Sequence, residues 1–332
     1  MLLGYVEPSG ESPELARWET QGAVESLGGS EGPFPSPLAG LLPVLVPAER
    51  ALAHLAARLA LAHRTLVPVE GEVLDGAREE GGSGRSAAFR RIGRPGASAD
   101  SAIRAAGAAY VQGGGSVNLE APERRYWLAR REGGTDLLLR EVAGVDRSSP
   151  ASRAMPRLPF RRPVSLPPRL ARAAMNLAAL RPGDRVLDPF VGTGALIAEA
   201  ALLGARTYGI DADPAMVRGA LRNLAHLGVR AEAFVQGDAR EVELPGPPPR
   251  FEALVTDPPY GRSSASIGGA PSRLVPQVLD RWQSALLPRG TIVVLSPGGP
   301  PSLGPPWVEE CRIPVRVHRS LTREFRRYRR PA

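Results

Sequence analysis

The chain has 332 residues, and its formal net charge of +8 arises from 42 basic and 34 acidic residues. All the basic residues are arginines, because the sequence contains no lysine. The arginines favour a polyanionic partner, since arginine pairs with phosphate. They also reflect a composition rich in Arg, Ala, Gly and Pro. The single Cys311 excludes an internal disulfide framework and a cysteine-rich zinc site, and we predict no metal site.

The N-terminus, MLLGYVEPSGESPE, lacks the basic start and long apolar run of a signal peptide. No stretch approaches the roughly 18 uninterrupted apolar residues that a membrane span needs. We therefore predict a soluble, cytoplasmic protein with no membrane partner, and we expect a monomer.

Residues 1–146 are predicted to form an α+β region. Leucines at helical spacing mark the strongest predicted helix, 47–63, and weaker helices are predicted over 13–27 and 99–110. The charged, Gly-rich stretch 75–85 predicts an exposed loop. Short alternating segments predict four strands, over 87–92, 115–119, 124–130 and 135–142.

Residues 147–172 hold seven arginines and six prolines without an acidic residue. Proline at this density disfavours regular structure, so we predict a linker that ends in a helix near 170–180. Two interpretations stay open, a solvated linker and a basic strap beside a nucleic-acid path.

Residues 173–332 alternate between predicted strands and helices, which favours a doubly wound, mostly parallel sheet. Strands are predicted over 186–188, 207–210, 233–235, 253–256 and 291–295, and helices over 195–203 and 274–286. Asp213 is predicted to cap a further helix that begins at Pro214 and buries Val217, Leu221 and Leu224.

Four aspartates, Asp188, Asp211, Asp238 and Asp257, each follow a predicted strand. Ligands of an open parallel sheet bind outside the carboxyl ends of its strands, so we expect these side chains to converge on one crevice. Asp188 begins DPFVGTG, whose glycines permit a tight turn and a close ligand approach. The following helix N-terminus favours an anionic group, such as the carboxylate of a methyl donor.

The later acids suggest how such a donor binds. Asp211 is placed to accept hydrogen bonds from two vicinal ribose hydroxyls. Asp238, in QGDAR, is predicted to accept from an adenine amino group. Each acid alone would be an ordinary loop residue, and their joint spacing carries the prediction.

Asp257-Pro258-Pro259-Tyr260 follows the fourth predicted strand and indicates methyl transfer to an exocyclic amine. Such an amine is a poor nucleophile, and two fixed acceptors, the Asp257 carboxylate and the Pro258 carbonyl, favour its attack. The prolines lock the turn, and Tyr260 offers a face on which a base can stack.

The C-terminal segment RIPVRVHRSLTREFRRYRR alternates arginines with other residues. If these residues form strands, a row of arginines shares one face, with Phe325 and Tyr328 interleaved. We predict that this row lines an RNA path, and a frayed arginine-rich tail is the alternative.

The segments RPGDRVLDPFVGTGALIAEAALLGARTYGIDADPAMVRGALRNLAHLG, QGDA and TDPPYGRSS resemble the THUMP-containing tRNA guanine-N2 methyltransferases. VHRSLTR resembles the closing segment of that family, and AAFRRIGR and VNLEAPE resemble parts of its THUMP domain. The resemblance is strong over 163–262 and 315–323. Val191 and Ala195 replace a frequent Cys and Gly of the family.

The resemblance implies a Rossmann-like class I methyltransferase domain over 173–332, a THUMP-like domain within 1–146 and a linker over 147–172. It implies methylation of guanosine ten of tRNA, giving N2-methylguanosine or N2,N2-dimethylguanosine. Asp257, Pro258, Pro259 and Tyr260 would hold the target amine. S-adenosylmethionine would be held by Asp188, Pro189, Gly192, Thr193, Gly194, Asp211, Ala212, Asp238 and Ala239.

Three questions stay open. An N6-adenine methyltransferase would use the same Asp-Pro-Pro-Tyr chemistry on DNA or RNA. A non-catalytic RNA-binding protein could keep the same fold. Some family members work with a small zinc-binding activator protein, and the sequence does not decide whether this chain does.

Overall fold

The computed structural model describes residues 1–33, 36–93, 99–132, 134–154, 157–163, 165–245, 250–259, 271–297, 303–318 and 321–331. These residues form two compact units. Unit 1 comprises Met1–Gly10, Leu27–Ala57 and Ala62–Asp146. Unit 2 comprises Glu11–Ser26, Arg58–Leu61 and Arg147–Ala332, so two short N-terminal segments belong with the C-terminal part of the chain. The domain boundaries at 146 and 172 stay a prediction.

Unit 1 is built on an eight-stranded sheet of order β2-β3-β1-β4-β8-β7-β5-β6. Its strands are β1 (Leu2–Pro8), β2 (Ser30–Glu31), β3 (Leu42–Val46), β4 (Ala62–Pro68), β5 (Ser86–Arg91), β6 (Ser116–Val117), β7 (Arg124–Arg130) and β8 (Asp136–Gly144). Its helices are α2 (Glu49–Arg58), α3 (Val73–Gly81) and α4 (Ala99–Gln112). The arrangement is α+β, as predicted, and its assignment as a THUMP-like domain stays a prediction.

Helix α3 corrects the loop predicted over 75–85. Gly76 and Gly81 are buried in this helix and do not form a turn. Their lack of a side chain lets the backbone of neighbouring segments pack closely against α3. A Cβ on Gly81 would lie 2.1 Å from the carbonyl oxygen of Tyr110 in α4. Composition suggested a loop here because glycine is the residue common to turns and to closely approaching helices.

Unit 2 carries the predicted α/β pattern. Its helices are α1 (Pro13–Ser26), α5 (Ser149–Ser152), α6 (Pro168–Leu177), α7 (Ala195–Leu202), α8 (Pro214–His226) and α9 (Pro271–Gln283). Its strands are β9 (Arg185–Asp188), β10 (Arg206–Asp211), β11 (Ala233–Gln236), β12 (Phe251–Thr256), β13 (Leu286–Ser296), β14 (Val308–His318) and β15 (Leu321–Arg329).

The seven strands of unit 2 lie in the order β11-β10-β9-β12-β13-β15-β14. The first five are parallel, whereas β15 runs antiparallel to both β13 and β14. Neighbouring residues of β9 belong to different hydrophobic clusters. Val186 packs with residues of α6 and α7, whereas Leu187 packs with residues of α9. The prediction of a doubly wound, mostly parallel sheet is confirmed.

Helix α8 differs from the sequence-based expectation at one residue and agrees with it at its start. Leu221 was predicted to be buried, but it is 45% exposed on α8, whereas Val217, Ala220 and Leu224 face inward. The N-cap at Asp213 is confirmed, because its carboxylate accepts a hydrogen bond from the Ala215 N–H. Among the described residues, no helix is long and apolar enough to cross a membrane.

Candidate active site

A cavity of about 340 Å³ opens in unit 2 at the carboxyl ends of its parallel strands. The four predicted aspartates all line it, although up to 69 positions separate them in sequence, from Asp188 to Asp257. The predicted residues Pro189, Gly192, Thr193, Ala212, Ala239, Pro258 and Pro259 line it as well. The structure thus brings together most of the predicted set, whose roles stay predictions. Gly194 is not among the lining residues, and Tyr260 lies outside the described residues.

The loop between β9 and α7 needs its glycines for two different reasons. Gly192 has a positive φ of 52°, and a Cβ there would meet nothing closer than the Phe190 carbonyl oxygen at 3.9 Å. Its missing side chain therefore leaves open space on the cavity wall. Gly194 caps α7 with a φ of 83°, and a Cβ there would press on Ala220 and Leu224 at 3.1 Å.

Asp211 lies at the end of β10, where its carboxylate is fixed by backbone donors. The Gly192 N–H donates to Oδ2 over 2.8 Å, and the Asp213 N–H donates to Oδ1 over 2.9 Å. Burial raises the pKa of this carboxyl, while the two backbone hydrogen bonds oppose the rise. Each oxygen keeps a second acceptor position, so the residue can accept two hydroxyl hydrogens.

Asp188 is 1% exposed and satisfied mostly by the protein itself. Its Oδ1 accepts from the Thr256 hydroxyl over 2.7 Å and from the Phe190 N–H over 3.0 Å. Burial raises its pKa to about 7, against the effect of these two hydrogen bonds, and the charges of Asp257 and Asp211 add to the rise. The side chain ties the end of β9 to the end of β12 and fixes the loop that follows.

Asp238 is held by Arg240. The Arg240 Nε lies 2.9 and 3.0 Å from the two carboxylate oxygens, and the Arg240 N–H also donates to Oδ1. These hydrogen bonds lower the pKa of the carboxyl. Asp238 is therefore charged and on the cavity wall, with an arginine partner that the sequence pattern did not reveal.

Asp257 follows β12 and lies beside a second arginine. Arg323 donates from Nε to Oδ1 over 3.1 Å, and its terminal nitrogen lies 2.9 Å from Oδ2. Burial raises the pKa of Asp257 to about 6, and the positive charge and hydrogen bond of Arg323 oppose that rise. Pro258 and Pro259 continue the chain along the cavity wall.

The Arg/Pro-rich segment is anchored to the cofactor-side loop. Asn223 of α8 accepts from the Phe160 N–H over 3.0 Å and donates to the carbonyls of Phe160 and Thr193 over 3.0 Å. The Phe160 ring covers Gly219, where a Cβ would lie 2.1 Å from it. Ser165 reaches the Thr193 hydroxyl at 3.1 Å. These contacts hold exposed Arg162 at the cavity wall.

Sequence reasoning missed Arg323, Asn223 and Arg162 as parts of this site. Arg323 lies in the segment VHRSLTR, but we predicted that the C-terminal arginines line an RNA path. That prediction is wrong for Arg323, Arg326 and Arg327, which are at most 5% exposed. Strand β15 lies between two other strands with both faces covered, so these arginines form ion pairs, with Asp257, Glu324 and Glu25 respectively.

The order of the sheet, the glycine loop and the acids at the strand ends agree with the predicted Rossmann-like methyltransferase fold. A family model described as RMKL-like, methyltransferase domain matches residues 157–300, which include all four aspartates and the segment around Phe160. The match supports the predicted cofactor, S-adenosylmethionine. The residues also fit it, because Gly192 leaves an open wall and Asp211 keeps acceptor positions for two hydroxyls.

The chain is also similar to curated enzymes that are named for the nucleotide they methylate. The chain is 39% identical over 171 residues to the tRNA (guanine(10)-N2)-dimethyltransferase of Methanothermobacter thermautotrophicus, covering 51% of this chain and 50% of the relative. It is 36% identical over 224 residues to the enzyme of the same name from Pyrococcus abyssi, covering 63% of each. The chain thus spans half to two thirds of these relatives.

A tRNA (guanine(6)-N2)-methyltransferase of Thermus thermophilus is 38% identical over 115 residues, covering 34% of this chain and 33% of the relative. The solved structure of TrmN from Thermus thermophilus aligns over 99% of both chains, with a TM-score of 0.49 and 21% identity. The relatives confirm the resemblance to tRNA guanine-N2 methyltransferases. The monomeric state, the cytoplasmic location and a zinc-binding activator protein stay predictions.

Proposed function

We propose that this protein transfers a methyl group from S-adenosylmethionine to the exocyclic N2 amine of guanosine ten in tRNA. The main support for this proposal is that Asp257-Pro258-Pro259 and the acids Asp188 and Asp211 line one cavity. The names of the curated relatives support the guanine N2 atom and position ten. The product is N2-methylguanosine, or N2,N2-dimethylguanosine after a second transfer.

Different residues of the cavity would bind different parts of the cofactor. Asp211 would accept hydrogen bonds from the two ribose hydroxyls, because one backbone donor on each oxygen fixes the orientation of the carboxylate and leaves a further acceptor position on each. The N-terminal N–H groups of α7 favour the carboxylate of the methionine moiety. Asp188 would act through the loop, by fixing Phe190 and the end of β12. The bound cofactor supplies an activated sulfonium methyl group, so no metal is required.

Asp257 and Pro258 would hold the two N–H groups of the amine. Fixed acceptors favour the change of the nitrogen toward a tetrahedral, positively charged state during attack. In the transfer the carbon–sulfur bond breaks, its electron pair stays on sulfur, and a nitrogen–carbon bond forms. The proton that the amine then loses can pass to Asp257, whose pKa of about 6 permits it to accept and release a proton near neutral pH.

The test is incorporation of labelled methyl groups from S-adenosylmethionine into unmodified tRNA, followed by nucleoside analysis. A second tRNA carries adenosine at position ten, with its paired nucleotide changed to keep the base pair. We expect N2-methylated guanosine in the first tRNA and no label in the second. Label on adenosine, in RNA or in DNA, would establish the N6-adenine alternative. Binding of tRNA without transfer would favour the non-catalytic alternative.

The matched variant is Asp257→Ala. We expect the single-turnover rate to fall by about 10²- to 10³-fold, because one fixed acceptor of the amine is lost. Affinity for S-adenosylhomocysteine, measured by calorimetry, should change little, since Asp257 is assigned to the amine and not to the cofactor. Lost cofactor binding with a normal rate at saturation would contradict this role.

A further inference from the structure

Arg323 comes to the cavity from a part of the chain far from the methyltransferase motifs. Strand β15 runs antiparallel to β13, and Glu324 pairs with Ser296, the last residue of β13. Arg323 therefore lies one step beyond the carboxyl end of β13. This position brings its side chain to the cavity edge that the parallel strands share.

The guanidinium of Arg323 contacts both oxygens of Asp257 and is almost fully enclosed. The two contacts are 3.1 and 2.9 Å long, and the two side chains are only 2% and 15% exposed. Paired contacts of this kind fix the plane of a carboxylate as well as its position. A residue that served stability alone would not need to line the cavity beside the predicted acceptor.

We propose that Arg323 is a positioning residue for methyl transfer, which holds the Asp257 carboxylate in one orientation and in its charged form. The inference rests on the proposed function, in which Asp257 accepts a hydrogen from the target amine. Arg323 occupies one acceptor position on each oxygen. The remaining acceptor positions of the carboxylate then serve the amine.

The charges around Asp257 explain why it needs this partner. Burial raises the pKa of Asp257, and Arg323 is the group that opposes the rise. Asp188, at the end of β9, lines the same cavity, and the two carboxyl groups interact unfavourably when both are ionised. Without the guanidinium, Asp257 would be more often protonated near neutral pH. A protonated carboxyl offers the amine a poorer acceptor.

Two substitutions separate charge from geometry. Arg323→Gln removes the positive charge, whereas Arg323→Lys keeps a charge but cannot contact both oxygens in one plane. Arg312 offers a matched control, because it is a half-exposed arginine of β14 that pairs with Glu309. Arg312→Gln therefore removes a comparable ion pair from the same sheet and leaves the cavity unchanged.

The first measurement is titration of ¹³C-labelled aspartate carboxyls in the full-length protein, with Asp257→Asn to assign the signal. We expect the pKa of Asp257 to rise by about one or more in Arg323→Gln and by less in Arg323→Lys, while Arg312→Gln leaves it unchanged. The titration requires neither substrate nor cofactor. An unchanged pKa of Asp257 in Arg323→Gln would overturn the proposal.

The second measurement is the steady-state kinetics of tRNA methylation as a function of pH. We expect Arg323→Gln to lower kcat by about 10- to 100-fold at pH 6.5, with KM changed less than about threefold and the deficit smaller at pH 8.5. Added guanidinium ion should restore part of the rate. A raised KM for tRNA with an unchanged kcat would assign Arg323 to direct substrate binding and overturn the positioning role.

The two measurements also distinguish the inference from the proposed function. If the wild-type protein methylates no nucleic acid, the proposed function fails, and the carboxyl titration still decides whether Arg323 keeps Asp257 charged. If Arg323→Gln does not fold, judged by its circular dichroism, Arg323→Lys tests the paired contact alone. An unchanged kcat in Arg323→Lys would then overturn the positioning role.

Discussion

Asp188 and Asp257 show how two buried carboxyls at neighbouring strand ends come to differ. Asp188 is enclosed and receives hydrogen bonds from Thr256 and from the Phe190 backbone. Asp257 is open toward the cavity and is balanced by Arg323. Burial raises the pKa of both, to about 7 and about 6. The first arrangement stabilises a loop, and the second leaves acceptor positions for a substrate.

The raised pKa of Asp188 predicts that ionisation of this buried carboxyl lowers the stability of the folded protein. Its pKa is about 7 when folded and near 3.9 when unfolded, so the folded state loses stability as pH rises from about 4 to 7, and the loss is complete above 7. Asp188→Asn can keep both hydrogen bonds without a buried charge. We expect it to stabilise the protein by roughly 1–3 kcal/mol at pH 8 and by much less at pH 5.

Thermal unfolding at the two pH values measures this difference. Asp280→Asn, at an exposed position of α9, is the control and should leave the unfolding midpoint nearly unchanged. A variant Asp188→Asn that is equally destabilised at both pH values would show that the charged carboxylate stabilises the loop.

The pKa of Asp257 predicts how the rate of methyl transfer falls as the pH is lowered. Because the acceptor must be ionised, the single-turnover rate should fall about tenfold for each pH step below 6 and level off above it. The measurement is the rate between pH 5 and 8 at saturating tRNA and cofactor. A flat profile across this range would mean that ionisation of Asp257 does not limit transfer.

At the scale of elements, the segment 147–172 divides into two sets of arginines. Arg153 and Arg172 both pair with buried Glu199, and Arg147 and Arg169 both pair with Glu11. Arg157, Arg161 and Arg162 are exposed, and Phe160 between them is fixed on α8. Neither interpretation made from sequence included the ion pairs of the first set. A basic strap beside a nucleic-acid path stays a prediction for the exposed set.

This division predicts which arginines contact RNA. Replacing Arg161 and Arg162 by Gln should weaken tRNA binding and reduce the slope of log affinity against log salt by about 0.7 to 0.9 for each lost phosphate contact. The measurement is tRNA affinity at several salt concentrations. The control that keeps the slope is Arg206→Gln, because Arg206 is an exposed arginine at the start of β10 that pairs with Glu232. An unchanged slope in the double variant would place the RNA path elsewhere.

The elements that sequence reasoning found best are those whose pattern is local. The parallel strands, the Asp213 cap and the four acids were predictable because strand ends, glycines and hydrophobic spacing mark them directly. Helix α3 was missed because its glycines suggest turns, and only their packing, of Gly81 on Tyr110 and of Gly76 on Glu70, explains them. Arg323 was missed as the partner of Asp257, since an ion pair between distant strands leaves no spacing that the sequence reveals. Arg240 lies only two residues after Asp238, and that spacing alone did not indicate that the two side chains pair.

At the scale of the whole molecule, the chain enters unit 2 three times. Residues 11–26 and 58–61 belong to unit 2, and the chain returns to it at residue 147. Glu19 of α1 is fully buried there and accepts from the Ala60 and Leu61 N–H groups over 2.8 and 2.9 Å. It also accepts from the Asn176 amide over 3.0 Å. Unit 2 thus includes an N-terminal helix that lies outside every predicted methyltransferase motif.

The contacts of Glu19 predict a large loss of stability when it is removed. Glu19→Ala would leave three buried donors without their acceptor, and we expect it to destabilise unit 2 by about 3 kcal/mol. Unfolding of unit 2 is followed by loss of S-adenosylhomocysteine binding during denaturant titration. Glu14→Ala, on the exposed side of the same helix, is the control and should shift the midpoint only slightly. If both variants lost cofactor binding at the same denaturant concentration, α1 would be an appendage to unit 2, and the catalytic fold would not depend on it.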